Sequence, residues 1–259
     1  TWWKLYQPLG FSIATEEHSI GTKDDLESLC TAADAYGIKI IVDVVANHLA
    51  GDDSQTLNAS VADYEPIIYN QNLIHTDNGM ASDTSIFSVT RGALGSFPDL
   101  MTENAYVQSR VLDLLKEYVD VGVDGFRFDA AKHIETPEDG EYASDFWPTV
   151  IDGVKAYAED LGIDSLYFYG EILNTAGTDR SYTEYTEYMS VTGNAMSDTI
   201  RYAVTGKNAD RLLSADYIDG VMANQTVLWA ESHDQYANET QTTTNISDAS
   251  ITKTYVIDA

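Results

Sequence analysis

Short apolar runs of strand length alternate with longer stretches of helical period along most of this chain, and this alternation constrains the fold more than any other feature. Strands that alternate with helices predict a parallel sheet with helices packed against it. We predict five strands, at 38–45, 123–129, 166–171, 188–192 and 227–231. We predict four helices, at about 23–36, 103–121, 145–161 and 195–204. The chain is therefore expected to be an α/β protein.

Carboxylate and histidine side chains cluster at the ends of four predicted strands. The four segments are DVVANH at 43–48, GFRFDAAKH at 125–133, YGE ending at Glu171, and ESHD at 231–234. Since the carboxyl ends of parallel strands meet at one edge, these side chains are expected to lie together. Hydrolysis of an acetal between sugars needs a protonated carboxyl at the leaving oxygen and a carboxylate at the anomeric carbon. The set therefore predicts a glycosidase.

The second of these segments carries the most specific pattern. Alternation along a strand places Phe126 and Phe128 on one face and Arg127 and Asp129 on the other. We expect Arg127 to keep the Asp129 carboxylate ionised, as a nucleophile requires. The alternative is a buried salt bridge without chemistry.

The charge balance excludes some classes of partner. The chain has 14 basic and 42 acidic side chains, a net charge of −28, so nucleic acid and anionic membrane are not expected partners. A neutral substrate is favoured, and the acidity itself is typical of a solubilising surface. Cys30 is the only cysteine, which rules out an intrachain disulfide, and its position on an apolar helix face predicts a core residue.

The order and spacing of the four segments resemble the alpha-amylase family, glycoside hydrolase family 13. The resemblance implies a TIM (β/α)8 barrel, present here as an incomplete barrel of about strands 3 to 7, because five strands cannot close an eight-stranded barrel. It also implies that 1–48 and 102–259 form the catalytic barrel domain and that 49–101 is a small inserted domain after strand 3. We expect the chain to be a fragment of a longer protein. We expect 238–250 to be a solvated loop or linker.

The resemblance assigns three catalytic carboxyl groups. Asp129 is the expected nucleophile, Glu171 the general acid and base, and Asp234 the group that stabilises the transition state. The implied reaction is retaining endo-hydrolysis of α-1,4 bonds in starch, glycogen and maltodextrins. Two alternatives remain open: a related α-glucan hydrolase or transglycosylase, such as a cyclomaltodextrinase or glucanotransferase, and a catalytically inactive glucan-binding fragment.

Substrate-binding residues also follow from the resemblance. Tyr6 is expected to lie beneath the sugar that is cleaved, because flat sugar faces pack well on aromatic rings, and Asp43 is expected to orient Arg127. The full set of expected substrate contacts is Trp2, Trp3, Tyr6, Gln7, His48, Arg127, Lys132, His133 and His233.

The family likeness further implies a structural calcium ion that holds the inserted domain on the barrel. Its expected ligands are the side chains of Asn47 and Asp99 and the carbonyl of His133, a hard-oxygen set that suits calcium. Ser232 stands where the family pattern has Asn, so we do not expect chloride activation. We expect a monomeric, secreted protein of bacterial origin.

Overall fold

The computed structural model describes residues 2–17, 20–173, 178, 180–214, 218, 220–234 and 247–258. Five short strands form one parallel sheet in chain order. They are β1 (Ile41–Val44), β2 (Gly125–Phe128), β3 (Tyr167–Gly170), β4 (Ser190–Thr192) and β5 (Thr226–Val227). The number, direction and positions of the strands confirm the predicted incomplete (β/α)8 barrel. The observed strands are shorter than predicted, and β5 begins one residue earlier.

Nine α-helices are present in the described ranges. They are α1 (Lys23–Asp34), α2 (Val61–Tyr64), α3 (Pro66–Gln71), α4 (Ile86–Arg91), α5 (Ala105–Asp120), α6 (Gly153–Asp160), α7 (Thr183–Thr186), α8 (Asn194–Thr205) and α9 (Asp248–Asp258). Short 3₁₀ turns lie at Trp2–Tyr6, Ala131–His133, Gly140–Tyr142, Ala209–Ser214 and Ala223–Gln225. None of the described helices is both long enough and apolar enough to cross a membrane.

Helix α5 illustrates how the sequence determines an element. The Asn104 side chain accepts a hydrogen bond from the Tyr106 N–H and so caps the helix start. The apolar residues at helical spacing form its buried face. The chain leaves the helix at Gly122, whose φ of 93° favours glycine. The prediction for 103–121 is confirmed to within two residues at each end.

The helix predicted at 145–161 is only partly correct. A π-helical turn occupies Pro148–Asp152, and regular α-helix begins only at Gly153. Gly153 lies close to α5, where a Cβ atom would stand 2.8 Å from Leu112 Cδ2. The wider turn also carries Trp147 into the core, where it packs edge-on against Phe128 with ring centroids 5.2 Å apart. Burial of a large aromatic side chain contributes about 1.5–3 kcal/mol, which favours this local departure from α-helix.

The segment at 49–101 has little regular secondary structure. It holds only α2, α3, α4 and isolated bridges, including His48–Asp99 and Ile74–Leu100. Its buried Leu49, Ile68 and Leu100 belong to the same apolar cluster as Phe126 of the sheet. The division into a barrel and an inserted domain stays a prediction.

Two further sequence expectations concern single segments. Cys30 is buried on α1, as expected for a core residue. Of the loop or linker predicted at 238–250, residues 238–246 lie outside the described part of the structure. For residues 248–250 the prediction is wrong, because α9 begins at Asp248. Residues Ser250, Ile251 and Thr254 lie on that helix, which packs against α8.

Candidate active site

The backbone ladder places Asp129 and Glu171 at the carboxyl edge of the sheet. The Asp129 N–H donates to the Val44 carbonyl (2.9 Å), and the Glu171 N–H donates to the Phe128 carbonyl (2.9 Å). Each carboxyl group therefore lies just beyond the end of the neighbouring strand. Gly170 at the end of β3 allows Met189 to pack closely against the strand, because a Cβ atom at Gly170 would lie 2.7 Å from Met189 Sδ. The edge predicted to hold the site does hold both carboxyl groups.

The buried Arg127 guanidinium contacts three carboxylates, of which Asp129 is buried, Glu171 is partly buried and Asp43 is exposed. Its Nη1 lies 2.6 Å from Asp43 Oδ1 and 2.8 Å from Asp129 Oδ1, and its Nη2 lies 3.1 Å from Glu171 Oε2. Glu171 Oε2 also accepts a hydrogen bond from the Ala130 N–H (3.1 Å). Asp43 and Arg127 are register partners on β1 and β2, which confirms the predicted contact between them. One positive charge thus faces three negative ones.

The electrostatics of Asp129 differ from the sequence prediction. The pKa of the Asp129 carboxyl is raised to about 7, because burial, together with the nearby Glu171 and Asp43, outweighs the lowering effect of Arg127. Arg127 lowers the pKa of Asp129, as predicted, but this effect does not offset the effect of burial. The physical reason is that Arg127 is shared among three carboxylates in a desolvated site. Burial thus holds the pKa of the Asp129 carboxyl well above its usual value.

Tyr6 forms one wall of this cluster. Its hydroxyl donates to Asp43 Oδ2 (2.5 Å), and its ring stacks on His233 with centroids 5.4 Å apart and planes 8° from parallel. Burial raises the pKa of the Tyr6 hydroxyl, and the bond to Asp43 adds to that effect. Tyr6 therefore stays protonated. Its hydroxyl and the Arg127 guanidinium both donate hydrogen bonds to the Asp43 carboxylate.

His48 is a buried, neutral imidazole beside Tyr6. Its Nε2 lies 3.0 Å from the Tyr6 carbonyl oxygen, and its ring stacks on Phe97 at 4.7 Å. Burial lowers the pKa of His48 to about 4. Because Nε2 then carries the proton and donates to Tyr6, Nδ1 is an acceptor, and it has no hydrogen-bond partner among the described residues. Contact of His48 with a sugar hydroxyl stays a prediction.

His233 and Asp234 lie just beyond β5. His233 is brought to the cluster by its stacking on Tyr6, and its Nε2 lies 3.6 Å from Asp234 Oδ1. Both side chains are more than two-fifths exposed. Asp234 thus joins the site through His233, whereas Asp129 and Glu171 are held directly by Arg127.

Lys132 and His133 both contact the irregular segment at 49–101. Lys132 Nζ lies 2.7 Å from Asp83 Oδ1, and His133 Nδ1 lies 2.8 Å from the Val89 carbonyl oxygen on α4. Burial lowers the pKa of His133 to about 4, so its ring is neutral and donates to Val89. The structure therefore shows these side chains tying 49–101 to the sheet edge, and their contact with substrate stays a prediction.

The remaining predicted substrate residues lie at the start of the chain. Trp2 and Trp3 begin the 3₁₀ turn that ends at Tyr6, but their side chains lie outside the described part of the structure. Gln7 follows that turn and is partly buried. Their contacts with substrate stay predictions.

The three predicted calcium ligands converge. One end of the Asn47 side-chain amide lies 3.1 Å from Asp99 Oδ1 and 3.3 Å from the His133 carbonyl oxygen. All three residues are buried. Close approach of three oxygen atoms needs either a donor or a cation between them. Rotation of the Asn47 amide supplies donors to both neighbours, and a hard cation satisfies the set without rotation.

The sequence analysis missed two groups around this site. Arg180 donates to the Lys132 and Ile134 carbonyls and pairs with Asp139 (Nη2 to Oδ2, 2.8 Å), so it holds the turn that presents the His133 carbonyl. His75 lies between Asp99 and Glu103, and burial of His75 lowers its pKa less than these two carboxylates raise it, to about 9. Neither residue belongs to a short motif, so no local pattern marks them.

Known proteins resemble this chain over most of its length. A family model described as "Alpha amylase, catalytic domain" matches residues 13–250. An alpha-amylase of Clostridium acetobutylicum is 36% identical over 91% of this chain and 30% of its own length. An alpha-amylase of Butyrivibrio fibrisolvens is 30% identical over 93% of this chain and 26% of its own length. The chain thus spans about three-tenths of these relatives.

Solved structures share the fold. Alpha-amylase I from Eisenia fetida superposes with a TM-score of 0.71 at 20% identity, over 99% of this chain and 54% of that one. CldA, a cyclomaltodextrin glucanotransferase, has a TM-score of 0.59 at 23% identity, over 81% of this chain and 43% of that one. At such identities the likeness concerns the fold alone. From the family match, which extends over most of its length, this chain belongs to the alpha-amylase family.

Proposed function

We propose that this chain carries the central part of a retaining glycoside hydrolase that cleaves internal α-1,4 bonds of starch, glycogen and maltodextrins. The observation that supports it most is the Arg127 cluster, in which one guanidinium contacts Asp129 and Glu171 at 2.8 and 3.1 Å. A nucleophile and a general acid must reach the same glycosidic bond, and contact with one guanidinium places these two carboxyl groups in the same site. Alpha-amylase relatives at 30–36% identity support the substrate class.

The proposed reaction has two steps at the anomeric carbon. Ionised Asp129 attacks that carbon while Glu171 gives a proton to the departing glycosidic oxygen, so one C–O bond forms as the other breaks. Glu171 then removes a proton from water, which attacks the same carbon and releases Asp129. Asp234, aided by His233, binds sugar hydroxyls and tightens its hold in the oxocarbenium-like transition state.

The residues around the cluster have supporting roles in this proposal. Tyr6 supplies a flat ring beneath the sugar, and His48, which lies beside Tyr6, hydrogen-bonds a sugar hydroxyl. Arg127 positions the two reacting carboxyl groups. The net charge of −28 agrees with a neutral glucan substrate, and secretion and a monomeric state stay proposals.

Product analysis tests the proposal. An endo-acting hydrolase lowers starch viscosity well before reducing ends accumulate, and proton NMR of the first products shows α-anomers when configuration is retained. β-Anomers as first products would contradict double displacement. Cyclic or lengthened glucans as the main products would favour the alternative of a glucanotransferase.

Acidic solution should lower activity because Asp129 must be ionised to attack. With the pKa of Asp129 raised to about 7, kcat/KM for a neutral maltooligosaccharide should fall about tenfold per pH unit below that value. The same upward shift means that the Asp129 contribution to folding stability is present at low pH and is lost as pH rises through about 7. A pH profile of kcat/KM between about pH 4 and 9 checks this. A flat profile down to pH 5 would contradict the raised pKa.

We also propose a structural calcium ion held by Asn47, Asp99 and the His133 carbonyl. The fit rests on the convergence of Asn47, Asp99 and the His133 carbonyl, three buried residues that each offer an oxygen atom. Such a hard-oxygen set suits calcium. The ion would link the end of β1, the end of 49–101 and the turn after β2, a structural role that takes no part in bond cleavage.

Removal of calcium should destabilise the protein. A ligand at about 100 times its Kd adds about 2.7 kcal/mol to stability, which corresponds to a Tm change of about 5–10 °C for a domain of this size. Chelation of protein expressed from the complete reading frame should lower Tm by that amount, and calcium but not magnesium should restore it. Asn47→Ala should reduce the calcium effect. Equal Tm with and without chelator would contradict the calcium site.

A further inference from the structure

A second cluster of metal-ligating side chains lies beside the Asn47 site. Ligand atoms of His75, Glu103 and Glu135 all lie within 4.8 Å of one another. Within the described ranges, this is the one group of three or more His, Cys, Asp or Glu side chains close enough to share an ion. His75 and Glu135 are buried, and Glu103 is the member that reaches solvent.

The Glu135 carboxylate offers one buried oxygen atom, Oε1, that could coordinate a metal ion. Its side chain is fully buried, and its Oε2 accepts a hydrogen bond from the Thr102 hydroxyl. Its Oε1 is also buried and has no hydrogen-bond partner among the described residues. A buried carboxylate oxygen without a partner is unfavourable, and metal coordination is one of the few ways to satisfy it.

A carboxylate orients the His75 ring through one of its nitrogens, as is usual for metal-binding histidines. Its Nδ1 lies 2.7 Å from Asp99 Oδ2, so Nδ1 donates to a carboxylate that does not belong to the cluster. This contact fixes the ring and directs Nε2 toward Glu103, whose Oε1 lies 3.0 Å away. A carboxylate that orients a histidine from its other nitrogen is the usual outer support of a metal ligand.

We propose that His75 Nε2 and the carboxylates of Glu103 and Glu135 bind one divalent cation of the zinc class, at a site separate from that of Asn47. One imidazole nitrogen and two carboxylates suit zinc, whereas calcium takes oxygen ligands. On binding, the Nε2 proton leaves to solvent and the cation takes its place between His75 and Glu103. Arg91 Nη2 lies 3.3 Å from Glu103 Oε1 and keeps its ion pair with that carboxylate. Water completes the coordination.

The same residues allow an account without metal. In it, a protonated His75 bridges Asp99 and Glu103, and Glu135 is a neutral carboxyl group that bonds only to Thr102. The two accounts differ in what Glu135→Gln does. A neutral amide reproduces a neutral carboxyl group, but it is a poor metal ligand.

The experiment measures zinc binding to protein from the complete reading frame, stripped of metal and then saturated with calcium. Titration calorimetry and metal analysis should show one zinc equivalent whose affinity falls about 100-fold or more in His75→Asn and in Glu135→Gln. Asn keeps an N–H for Asp99 but lacks Nε2, and Gln keeps an acceptor for Thr102. The exposed Glu141→Gln is the matched control and should bind zinc as the wild type does.

The wild type alone can overturn the proposal, which protects the test against variants that fail to fold. Cobalt added to the calcium-saturated wild type should give the intense visible absorption of a low-coordinate nitrogen and oxygen site, and zinc should displace it. Absence of any zinc or cobalt binding would overturn the site. Zinc binding that is unchanged in folded His75→Asn and Glu135→Gln would overturn it too. Because calcium is saturating and no activity is measured, the outcome is independent of the proposed hydrolase function.

Discussion

Replacement of Asp129 by Asn is expected to lower kcat/KM for soluble starch by about 10⁴-fold or more, since it removes the atom that bonds to the anomeric carbon. Glu171→Gln should have an effect of similar size on starch, because the leaving oxygen of a natural glucan needs a proton. Both residues lie on Arg127 at the carboxyl edge of the sheet. The measurement is reducing-sugar release by protein from the complete reading frame.

Two controls separate chemistry from folding. Asp113→Asn and Glu141→Gln make the same chemical changes at exposed positions away from the cluster and should leave activity near that of the wild type. An activated substrate with a good leaving group needs little proton donation, so Glu171→Gln should recover much of its first-step rate on it, whereas Asp129→Asn should not. If either site variant kept a tenth of its starch activity, the assigned roles would be wrong.

Replacement of Arg127 by Gln should cause a large decrease in the free energy of unfolding. Arg127 is buried and contacts Asp43, Asp129 and Glu171, so its loss leaves three neighbouring carboxylates without their shared cation. Removal of one partner from a buried ion pair costs about 3–5 kcal/mol. Urea unfolding at neutral pH should show a decrease of that size in the free energy of unfolding.

The Arg127 effect should depend on pH with a definite sign. Without the cation the pKa of Asp129 rises further, so the folded variant favours protonated carboxyl groups and regains stability as pH falls. The difference between wild type and Arg127→Gln should therefore shrink in acid. Arg127→Lys keeps the charge but cannot contact three carboxylates at once, so it should restore part of the stability and little activity. An equal loss at neutral and acidic pH would contradict the shared-cation account.

The sequence predicted the sheet well because strand burial and strand chemistry are local features. The pattern at 123–129 predicts a buried strand with Arg and Asp near its end. In the structure, β2 occupies Gly125–Phe128, and Arg127 contacts Asp129. The predicted contact of Asp43 with Arg127 follows from adjacent parallel strands in register. The convergence of Asn47, Asp99 and the His133 carbonyl was implied by family resemblance, and the structure brings the three together.

Other features could not be predicted because they depend on packing between distant segments. The stacking of Tyr6 on His233 joins residues at opposite ends of the chain, and no spacing rule connects them. Arg180 and His75 act through partners 24–48 residues away in irregular segments. The raised pKa of Asp129 depends on burial and on how many carboxylates share Arg127, which a two-residue pattern does not reveal.

Capture of the covalent intermediate tests the central claim most directly. In Glu171→Gln, an α-maltosyl fluoride should glycosylate Asp129 without an acid, but hydrolysis of the product should be slow because the base that activates water is absent. Peptide mass spectrometry should then find a glycosyl group on Asp129. A glycosyl group on a different carboxyl residue, or turnover of the fluoride with inversion and no covalent adduct, would contradict the account.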